Sequence, residues 1–186
     1  MTYIVQEYWH KDVTADDIKD INSLLRQLSR KNAAQPIGHY ELKILLNENI
    51  LWIARKHTPI TRRNSIVAMG SVTPNIGFGR SDSFGYIQKM VTDENHRGKQ
   101  DQVTVKYLHS QRGRTQSMQC RKNQSLAEVI VGEMILFAQS HQYSHLELTS
   151  NPDRVAANQL YQRLGFVLTS RAEISGTNRY LIDLHE

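Results

Sequence analysis

One stretch of the chain, residues 90–138, constrains the fold more than any other. Residues 90–99 run from an apolar, strand-like segment into a basic turn with a glycine, and residues 125–138 have the apolar spacing of a helix. Between them stand 25 residues, 100–124, most of which are polar or basic. In α/β folds a strand, a turn and a helix normally follow one another directly along the chain. We therefore interpret the stretch as a strand, turn and helix that residues 100–124, here called the insert, interrupt.

The insert also carries most of the charge of the chain. It holds five cations and one anion, a net charge of +4, so only +1 of the formal +5 belongs to the other 161 residues. The rest of the chain is nearly neutral, and for this reason we do not expect a nucleic-acid partner. The insert has six glutamines and only six apolar residues. This composition predicts a flexible surface excursion.

Length and composition predict one ordinary globular domain over residues 1–186. Hydrophobic residues make up 39% of the chain, enough for a core without disulfides. Cys120 is the single cysteine, and the histidines show no metal-ligand spacing, so we expect a reducing compartment and a site without metal. No leader pattern and no apolar run near the roughly 20 residues of a membrane span is present in the sequence. We expect a cytoplasmic protein with no membrane partner.

Apolar periodicity predicts a mixed α/β sheet with helices on its faces, in the order β-α-(α)-β-β-β-α-β-α-β-β. The first helix should begin with a Thr-x-x-acid cap formed by Thr14 and Asp17. The last should begin at Asn151-Pro152-Asp153 and end at Gly165. Helices are predicted at residues 14–30, 39–46, 126–141 and 153–164. Strands are predicted at residues 3–8, 50–55, 65–72, 84–92, 144–150, 166–170 and 178–184.

Joined across the insert, residues 95–99 and 125–127 read Asn-His-Arg-Gly-Lys followed by Ser-Leu-Ala. A basic, glycine-containing turn at a helix N-terminus points backbone N–H groups outward and favours an anion such as pyrophosphate. Taken by itself, Arg-Gly-Lys is more typical of a solvated loop. A second motif is needed to separate these interpretations.

That second motif lies in residues 155–166, which read VAANQLYQRLGF. Together the two motifs resemble the GCN5-related N-acetyltransferase (GNAT) superfamily, with its Arg/Gln-x-x-Gly-x-Gly/Ala turn and its Ala-x-x-Leu-Tyr-x-x-x-Gly-Phe helix end. The resemblance covers Tyr3 to Leu184. It implies a mostly antiparallel mixed sheet flanked by helices, and transfer of an acetyl group from acetyl-CoA to a primary amine of a small molecule or peptide.

The resemblance also implies coenzyme-binding residues on both sides of the insert. The end of the fourth strand would pair with the pantetheine arm, and the turn and the helix start would meet the phosphates. The two small residues of the turn motif are displaced here to Ser125 and Ala127. The implied coenzyme-binding residues are Met90, Val91, Thr92, Arg97, Gly98, Lys99, Ser125, Leu126, Ala127, Glu128, Arg154 and Asn158. For Arg154 and Asn158 a solvated helix surface is the alternative.

Two side chains are implied as catalytic. Tyr161 stands where family members place a general-acid tyrosine for the coenzyme sulfur, and the alternative is an ordinary core residue. Glu147 is the candidate base for the amine proton, and the alternative is a solvated carboxylate on a strand. Gln88 occupies a position where other members carry a glutamate, and an amide cannot act as a base.

The insert leaves several outcomes open. It can loop out and leave the turn intact, with its cations adding attraction for the 3′-phosphate, or it can impair coenzyme binding. The alternative function is a non-catalytic acetyltransferase-like domain whose basic loop binds a polyanion or a protein partner. The acceptor amine is not specified, and a homodimer is compatible with the sequence. Adjacent positions for Lys99 and Ser125 would favour a usable coenzyme site. Separated positions would indicate that the motif is a remnant that no longer binds the coenzyme.

Overall fold

The computed structural model describes residues 2–9, 11, 13–28, 35–57, 64–77, 83–108, 115–171 and 176–185. A short 3₁₀ turn at Glu94–His96 follows the fourth strand. The helices are α1 (Ala15–Leu28), α2 (His39–Glu48), α3 (Leu126–Ser140) and α4 (Val155–Arg163). The strands are β1 (Thr2–Tyr8), β2 (Ile50–His57), β3 (Asn64–Asn75), β4 (Phe84–Thr92), β5 (Lys99–Gln100), β6 (Val103–Leu108), β7 (Thr115–Arg121), β8 (Gln124–Ser125), β9 (His145–Ser150), β10 (Val167–Arg171) and β11 (Asn178–Asp183).

Nine strands form a hydrogen-bonded sheet in the order β10-β11-β9-β4-β3-β2-β1-β6-β7, and β5 and β8 form a ladder of their own. Strand β1 is antiparallel to β2, and β11 is antiparallel to both β9 and β10. Strand β4 runs parallel to β9, and β1 runs parallel to β6. The predicted fold class, a mixed and mostly antiparallel sheet with flanking helices, is confirmed. The organisation as one domain stays a prediction.

The chain groups into two compact units, Met1–Ser71 with Lys89–Val131 and Val72–Gln88 with Gly132–Glu186. In the first unit, Ile21 and Leu24 of α1 are buried among strand residues such as Ile53. The predicted cap of α1 is confirmed, because the N–H of Asp17 donates to Thr14 Oγ1 at 3.1 Å and the N–H of Thr14 donates to Asp17 Oδ2 at 3.2 Å. The first unit therefore rests on an amphipathic helix that is capped as the sequence predicts.

In the second unit, β4 and β9 pair closely through a glycine. Leu146 and Leu148 of β9 are buried, and Gly85 of β4 is the partner of Leu146. A Cβ at Gly85 would lie 2.6 Å from Leu146 Cδ2 and 2.8 Å from Val72 Cγ1. Any larger residue at Gly85 would collide with these side chains, so the approach of the two strands depends on glycine at this position.

The insert is ordered over most of its length, so the prediction of a flexible excursion is wrong. Strands β6 and β7 form an antiparallel hairpin, and β6 pairs with β1. Val103 and Val105 are 0% and 2% exposed. Their spacing of two fits one face of a strand, and the edge of β1 supplies the backbone partners that composition alone cannot reveal. Residues 109–114, which join the two strands, lie outside the described residues.

The boundary of the last helix differs from the prediction. Helix α4 begins at Val155, and Arg154 is its N-cap without a side-chain cap bond. Asn151 Oδ1 instead accepts the N–H of Asp153 at 2.9 Å, so Asn151 builds a turn ahead of the helix. Strand β3 extends to Asn75, three residues beyond its predicted end. Among the described helices, none is long and apolar enough to cross a membrane.

Candidate active site

The two ends of the insert lie side by side. Lys99 of β5 is the antiparallel partner of Ser125 of β8, and Gln100 is the partner of Gln124. Antiparallel partners are separated by about 4.5–5.5 Å between Cα atoms. The turn before the insert and the helix after it therefore meet, which is one of the two arrangements that the sequence left open.

The turn is anchored through Asp93, a residue that sequence reasoning missed. Asp93 Oδ1 accepts the N–H of Asn95 at 3.0 Å, and Asp93 Oδ2 accepts Gln27 Nε2 at 2.8 Å. Gln27 Oε1 in turn accepts the N–H of Glu94 at 3.1 Å. Burial raises the pKa of Asp93, but the bonds from Gln27 and Asn95 outweigh it and leave the pKa below its usual value. Gln27 is 66 residues from Asp93, so no local signal could have paired them.

Gly98 and Arg97 shape the turn after the 3₁₀ segment. Gly98 has φ +91°, and a Cβ there would meet no atom within 4 Å. Glycine is therefore favoured at residue 98 by backbone conformation and not by lack of space. Arg97 Nε donates to the carbonyl oxygen of Thr92 at 3.1 Å, so Arg97 folds back on the end of β4.

A kink in β4 precedes the residues predicted to pair with the pantetheine arm. Lys89 has φ +57°, a left-handed conformation that is uncommon for a residue with a side chain. A positive φ inside a strand is typical of a local bend, and Lys89 directly precedes Met90–Thr92. Such bends re-aim backbone and side-chain groups near functional sites. The coenzyme role of Met90, Val91 and Thr92 stays a prediction.

Ser125 and Glu128 cap α3. Ser125 Oγ accepts the N–H of Glu128 at 3.2 Å, and Glu128 Oε2 accepts the N–H of Ser125 at 2.7 Å. This capping box occupies two of the N–H groups at the helix start and places a carboxylate there. The predicted phosphate contact of the Glu128 N–H is therefore corrected, because Ser125 Oγ accepts it. Of the predicted phosphate contacts at the start of α3, those of the Leu126 and Ala127 N–H groups stay predictions.

His96 packs on Tyr3 beside the same turn. The Tyr3 hydroxyl lies 3.0 Å from His96 Nδ1, and the two rings meet edge to face at 5.8 Å. Burial lowers the pKa of His96, Lys56 lowers it further, and Asp93 opposes them. His96 is consequently a mostly neutral packing residue near pH 7, and its ring fixes the turn against β1.

In the second unit, Glu147 lies on β9 within an ion pair. Arg179 Nη2 of β11 donates to Glu147 Oε1 at 2.7 Å and to Oε2 at 2.8 Å. His145 Nε2 lies 3.3 Å from Oε1. The side chain of Glu147 is 11% exposed, and that of Arg179 is 53% exposed. Glu147 is therefore a largely buried, paired carboxylate, and the predicted alternative of a solvated one is wrong.

Arg179 and His145 are site residues that the sequence did not reveal. Arg179 reaches Glu147 because β9 and β11 pair antiparallel, and His145 reaches it because it lies two residues earlier on the same face of β9. On that face, Tyr86 Oη lies 2.7 Å from Thr149 Oγ1, and the His145 ring stacks on Phe84 with centroids 4.8 Å apart. The odd-numbered residues of both strands share one face, and this alternation is the sequence signal that could have predicted that Arg179 and His145 lie near Glu147.

Tyr161 is buried in the second unit, at 6% exposure. Its ring lies 6.0 Å from the rings of both Phe166 and Tyr180. Burial raises the pKa of Tyr161 to about 12, although the charge of Arg154 opposes it. The hydroxyl keeps its proton at neutral pH, which a general acid requires. The catalytic role of Tyr161 stays a prediction.

Asn158 has an unpaired acceptor. Its Nδ2 donates to the carbonyl oxygens of Asn151 at 3.0 Å and Pro152 at 3.2 Å, which fixes the orientation of the amide. Among the described residues, the buried Asn158 Oδ1 has no hydrogen-bond partner. A buried acceptor without a donor is costly and calls for a ligand or water. The amide N–H groups of a pantetheine arm are donors of the required kind, so Asn158 fits acetyl-CoA.

The other predicted positions are less specific. Gln88 is held by Thr73, whose hydroxyl contacts the Gln88 amide. Arg154 lies at the start of α4 and is partly exposed, so the predicted alternatives of coenzyme contact and solvent stay open. Among the described residues, no group of three or more His, Cys, Asp or Glu side chains could hold a metal ion.

The fold is that of the GNAT acetyltransferases. A GNAT-family acetyltransferase from Streptococcus pneumoniae matches with a TM-score of 0.58 and 18% identity over 96% of each chain. A chain of the NatC complex bound to Gag peptide and CoA matches with a TM-score of 0.66 and 15% identity over 99% of each chain. NAA60 of Arabidopsis thaliana, in complex with a bisubstrate analogue, matches with a TM-score of 0.64 and 12% identity over 96% of this chain and 97% of that one. No family model and no curated protein matches the sequence.

Proposed function

We propose that this protein is an N-acetyltransferase that transfers an acetyl group from acetyl-CoA to a primary amine of a small molecule or peptide. The observation that carries the proposal is the pairing of Lys99 with Ser125. It brings the basic turn to the start of α3 despite the insert. A turn of this kind at a helix N-terminus favours a pyrophosphate.

The residues that would hold acetyl-CoA fall into two groups. In the first unit, the N–H groups of Gly98, Lys99, Leu126 and Ala127 would meet the phosphates, and Met90–Thr92 would pair with the pantetheine arm. In the second unit, Asn158 Oδ1 would accept an amide N–H. When bound, the coenzyme supplies a thioester whose carbonyl carbon is the electrophile.

We assign Glu147 as the base that accepts the amine proton. Both of its carboxylate oxygens accept hydrogen bonds from Arg179 Nη2, and only 11% of its side chain is exposed. A proton can reach such a carboxylate through one water molecule, or directly once the guanidinium swings outward. Because Arg179 is half-exposed, solvent can hydrate its charge while the pair is open.

We assign Tyr161 as the group that stabilises the departing thiolate of the coenzyme. A thiol has a pKa of about 8.5, roughly 3 units below the value of about 12 for Tyr161. Complete proton transfer from Tyr161 to a free thiolate would be uphill by about 4–5 kcal/mol. Tyr161 therefore stabilises the developing thiolate through a hydrogen bond from its hydroxyl, and full transfer is not required.

The peptide option draws support from two matched structures. The NatC chain is bound to a Gag peptide, and the Arabidopsis thaliana NAA60 structure holds a bisubstrate analogue. The face of β4, β9 and β11 that carries Tyr86, Thr149, Glu147 and Arg179 offers hydroxyl, carboxylate and guanidinium groups. A polar amine would find both donors and acceptors there.

Calorimetric titration with acetyl-CoA tests the proposal on the intact chain. Gly98→Ala should weaken binding at least tenfold, because alanine disfavours the positive φ that orders the turn. Gly176→Ala is a matched control, since Gly176 also has positive φ and open space where a Cβ would stand, but lies between β10 and β11. Failure of the wild type to bind acetyl-CoA at millimolar concentration would refute the proposed function.

A further inference from the structure

One row of side chains crosses four strands of the first unit. Lys56, Tyr3, Val103 and Arg121 are successive register partners on β2, β1, β6 and β7. Register partners share a face of the sheet. His96 bonds to Tyr3 and responds to the charge of Lys56, so the turn containing it lies over this face.

Arg121 is therefore directed to the same side of the sheet as the turn. Two strand spacings, about 10 Å in total, separate its backbone from that of Tyr3. Arg121 also lies only four residues before Ser125, which pairs with Lys99 of the turn. Lys122, Asn123 and Gln124 are the residues between Arg121 and Ser125, and Asn123 reverses the chain with φ +56°.

We propose that Arg121 and Lys122 of the insert, together with Lys99, bind the 3′-phosphate of acetyl-CoA. This inference rests on the proposed function. A phosphate monoester carries about −1.5 to −2 charges near pH 7 and three strong acceptor oxygens, which suit a guanidinium and two ammonium groups. Lys99 and Lys122 are exposed and can turn toward a ligand.

The capping of α3 makes these side chains necessary. Glu128 places a carboxylate on the N–H of Ser125, at the helix end where an anion would otherwise be attracted. That carboxylate offsets the partial positive charge of the helix N-terminus and repels a nearby phosphate. Side-chain cations next to the turn compensate for it, and the insert is the segment that supplies Arg121 and Lys122.

The distribution of charge favours a small ligand over a nucleic acid. Lys106 alternates with Val103 and Val105 and is the partner of Gln6, so it lies on the opposite face of the sheet from Arg121. A long polyanion needs a continuous basic surface. The described cations of the insert are instead divided between two faces, and only one face is next to the turn.

The test compares acetyl-CoA with acetyl-3′-dephospho-CoA, which lacks the monoester. Wild type should bind acetyl-CoA about tenfold more tightly, as expected for one or two charge-assisted bonds. In the double variant Arg121→Gln, Lys122→Gln this preference should fall below about threefold through weaker binding of acetyl-CoA alone. Lys106→Gln, which removes a cation from the other face, should keep the wild-type preference.

Three results would overturn the inference. If wild type binds both ligands equally, the proposed function stands and the 3′-phosphate site is refuted. If Lys106→Gln lowers the preference as much as the double variant, the effect is general electrostatics. If wild type binds neither ligand, the proposed function fails and the inference fails with it. Circular dichroism of both variants shows that each retains its fold.

Discussion

A single nitrogen of Arg179, Nη2, donates to both carboxylate oxygens of Glu147, at 2.7 and 2.8 Å. The interaction joins β9 to β11 across 32 residues of sequence, and the bond to Glu147 raises the pKa of Arg179. It also holds the proposed base in one orientation. The pair therefore has a structural and a catalytic consequence, and the two can be measured separately.

The structural consequence is a coupling between the two side chains. Arg179→Met should lower the free energy of unfolding by about 1–2 kcal/mol, since it leaves the largely buried carboxylate of Glu147 with His145 as its remaining neighbour. The loss stays moderate because the guanidinium of Arg179 is half-exposed. Because Glu147→Gln removes the charge that needs a partner, the double variant should lose less than the sum of the single losses. A double-mutant cycle by urea unfolding measures this coupling. Strict additivity would contradict it.

The catalytic consequence concerns proton transfer. Glu147→Gln should lower kcat/KM about 10²- to 10⁴-fold, because an amide cannot accept the amine proton. Acetyl-CoA affinity should be unchanged in the same titration. Glu48→Gln is the control, since it makes the same change at an exposed carboxylate at the end of α2, outside the proposed site. Equal turnover of Glu147→Gln and wild type would remove Glu147 from this role.

Tyr161→Phe should lower kcat about 10²-fold and leave acetyl-CoA affinity unchanged, because only a hydrogen bond to the developing thiolate is lost. Since the pKa of Tyr161 is about 12, its hydroxyl stays protonated and should cause no alkaline loss of activity below about pH 11. Tyr143→Phe is a buried-tyrosine control. An alkaline limb near pH 9 that vanishes in Tyr161→Phe would contradict this assignment of the pKa.

Asp17 should dominate the acid sensitivity of the first unit. Burial raises its pKa, but bonds from Arg55, Tyr8 and Thr14 outweigh burial, and the folded pKa lies below the usual value. Its stabilising contribution is therefore complete above the unfolded pKa of about 3.9 and is lost as the pH falls through the folded pKa. Asp17→Asn should cost about 2–4 kcal/mol at pH 7 and progressively less below pH 4.

Asp16→Asn is the matched control for Asp17. Asp16 precedes Asp17 on α1, but its side chain is 61% exposed and contacts only the exposed Lys19 at 3.4 Å among the described residues. It should change the free energy of unfolding by less than about 0.5 kcal/mol. Urea unfolding between pH 7 and pH 3 distinguishes the two variants. A similar loss in both would show that the buried pair with Arg55 is not the cause.

Val105→Ala tests whether the insert belongs to the folded core. Val105 is 2% exposed on β6, so losing two methyl groups should cost about 1–3 kcal/mol. A flexible excursion would show no change. Hydrogen exchange of the β6 amide groups gives an independent measure, because pairing with β1 should protect them. Exchange at the rate of an unfolded chain would refute the ordered hairpin.

Local signals account for the parts of the fold that were predicted correctly. The cap at Thr14 and Asp17 and the helical spacing of α1 depend on residues within four positions of one another. Such interactions can be recognised from neighbouring residues alone, although packing of Ile21 and Leu24 stabilises the helix. The Leu160-Tyr161 motif before Gly165 likewise belongs to one helix end. The resemblance to acetyltransferases rested on this motif and on the interrupted turn.

The sequence by itself determined the order of the helices and strands other than β5 to β8, the turn around Gly98 and the candidacy of Tyr161 and Glu147. Only the tertiary structure decided that Lys99 meets Ser125, that Arg179 holds Glu147, and that the insert completes the sheet beside β1. These contacts join residues far apart in the chain. Closing a long loop costs only slightly more than closing a short one, rising as about (3/2)RT ln n, so the length of a connection places no strong limit on which strand edges pair. Backbone pairing and buried valines on β6 then order a segment whose polar composition alone predicts disorder.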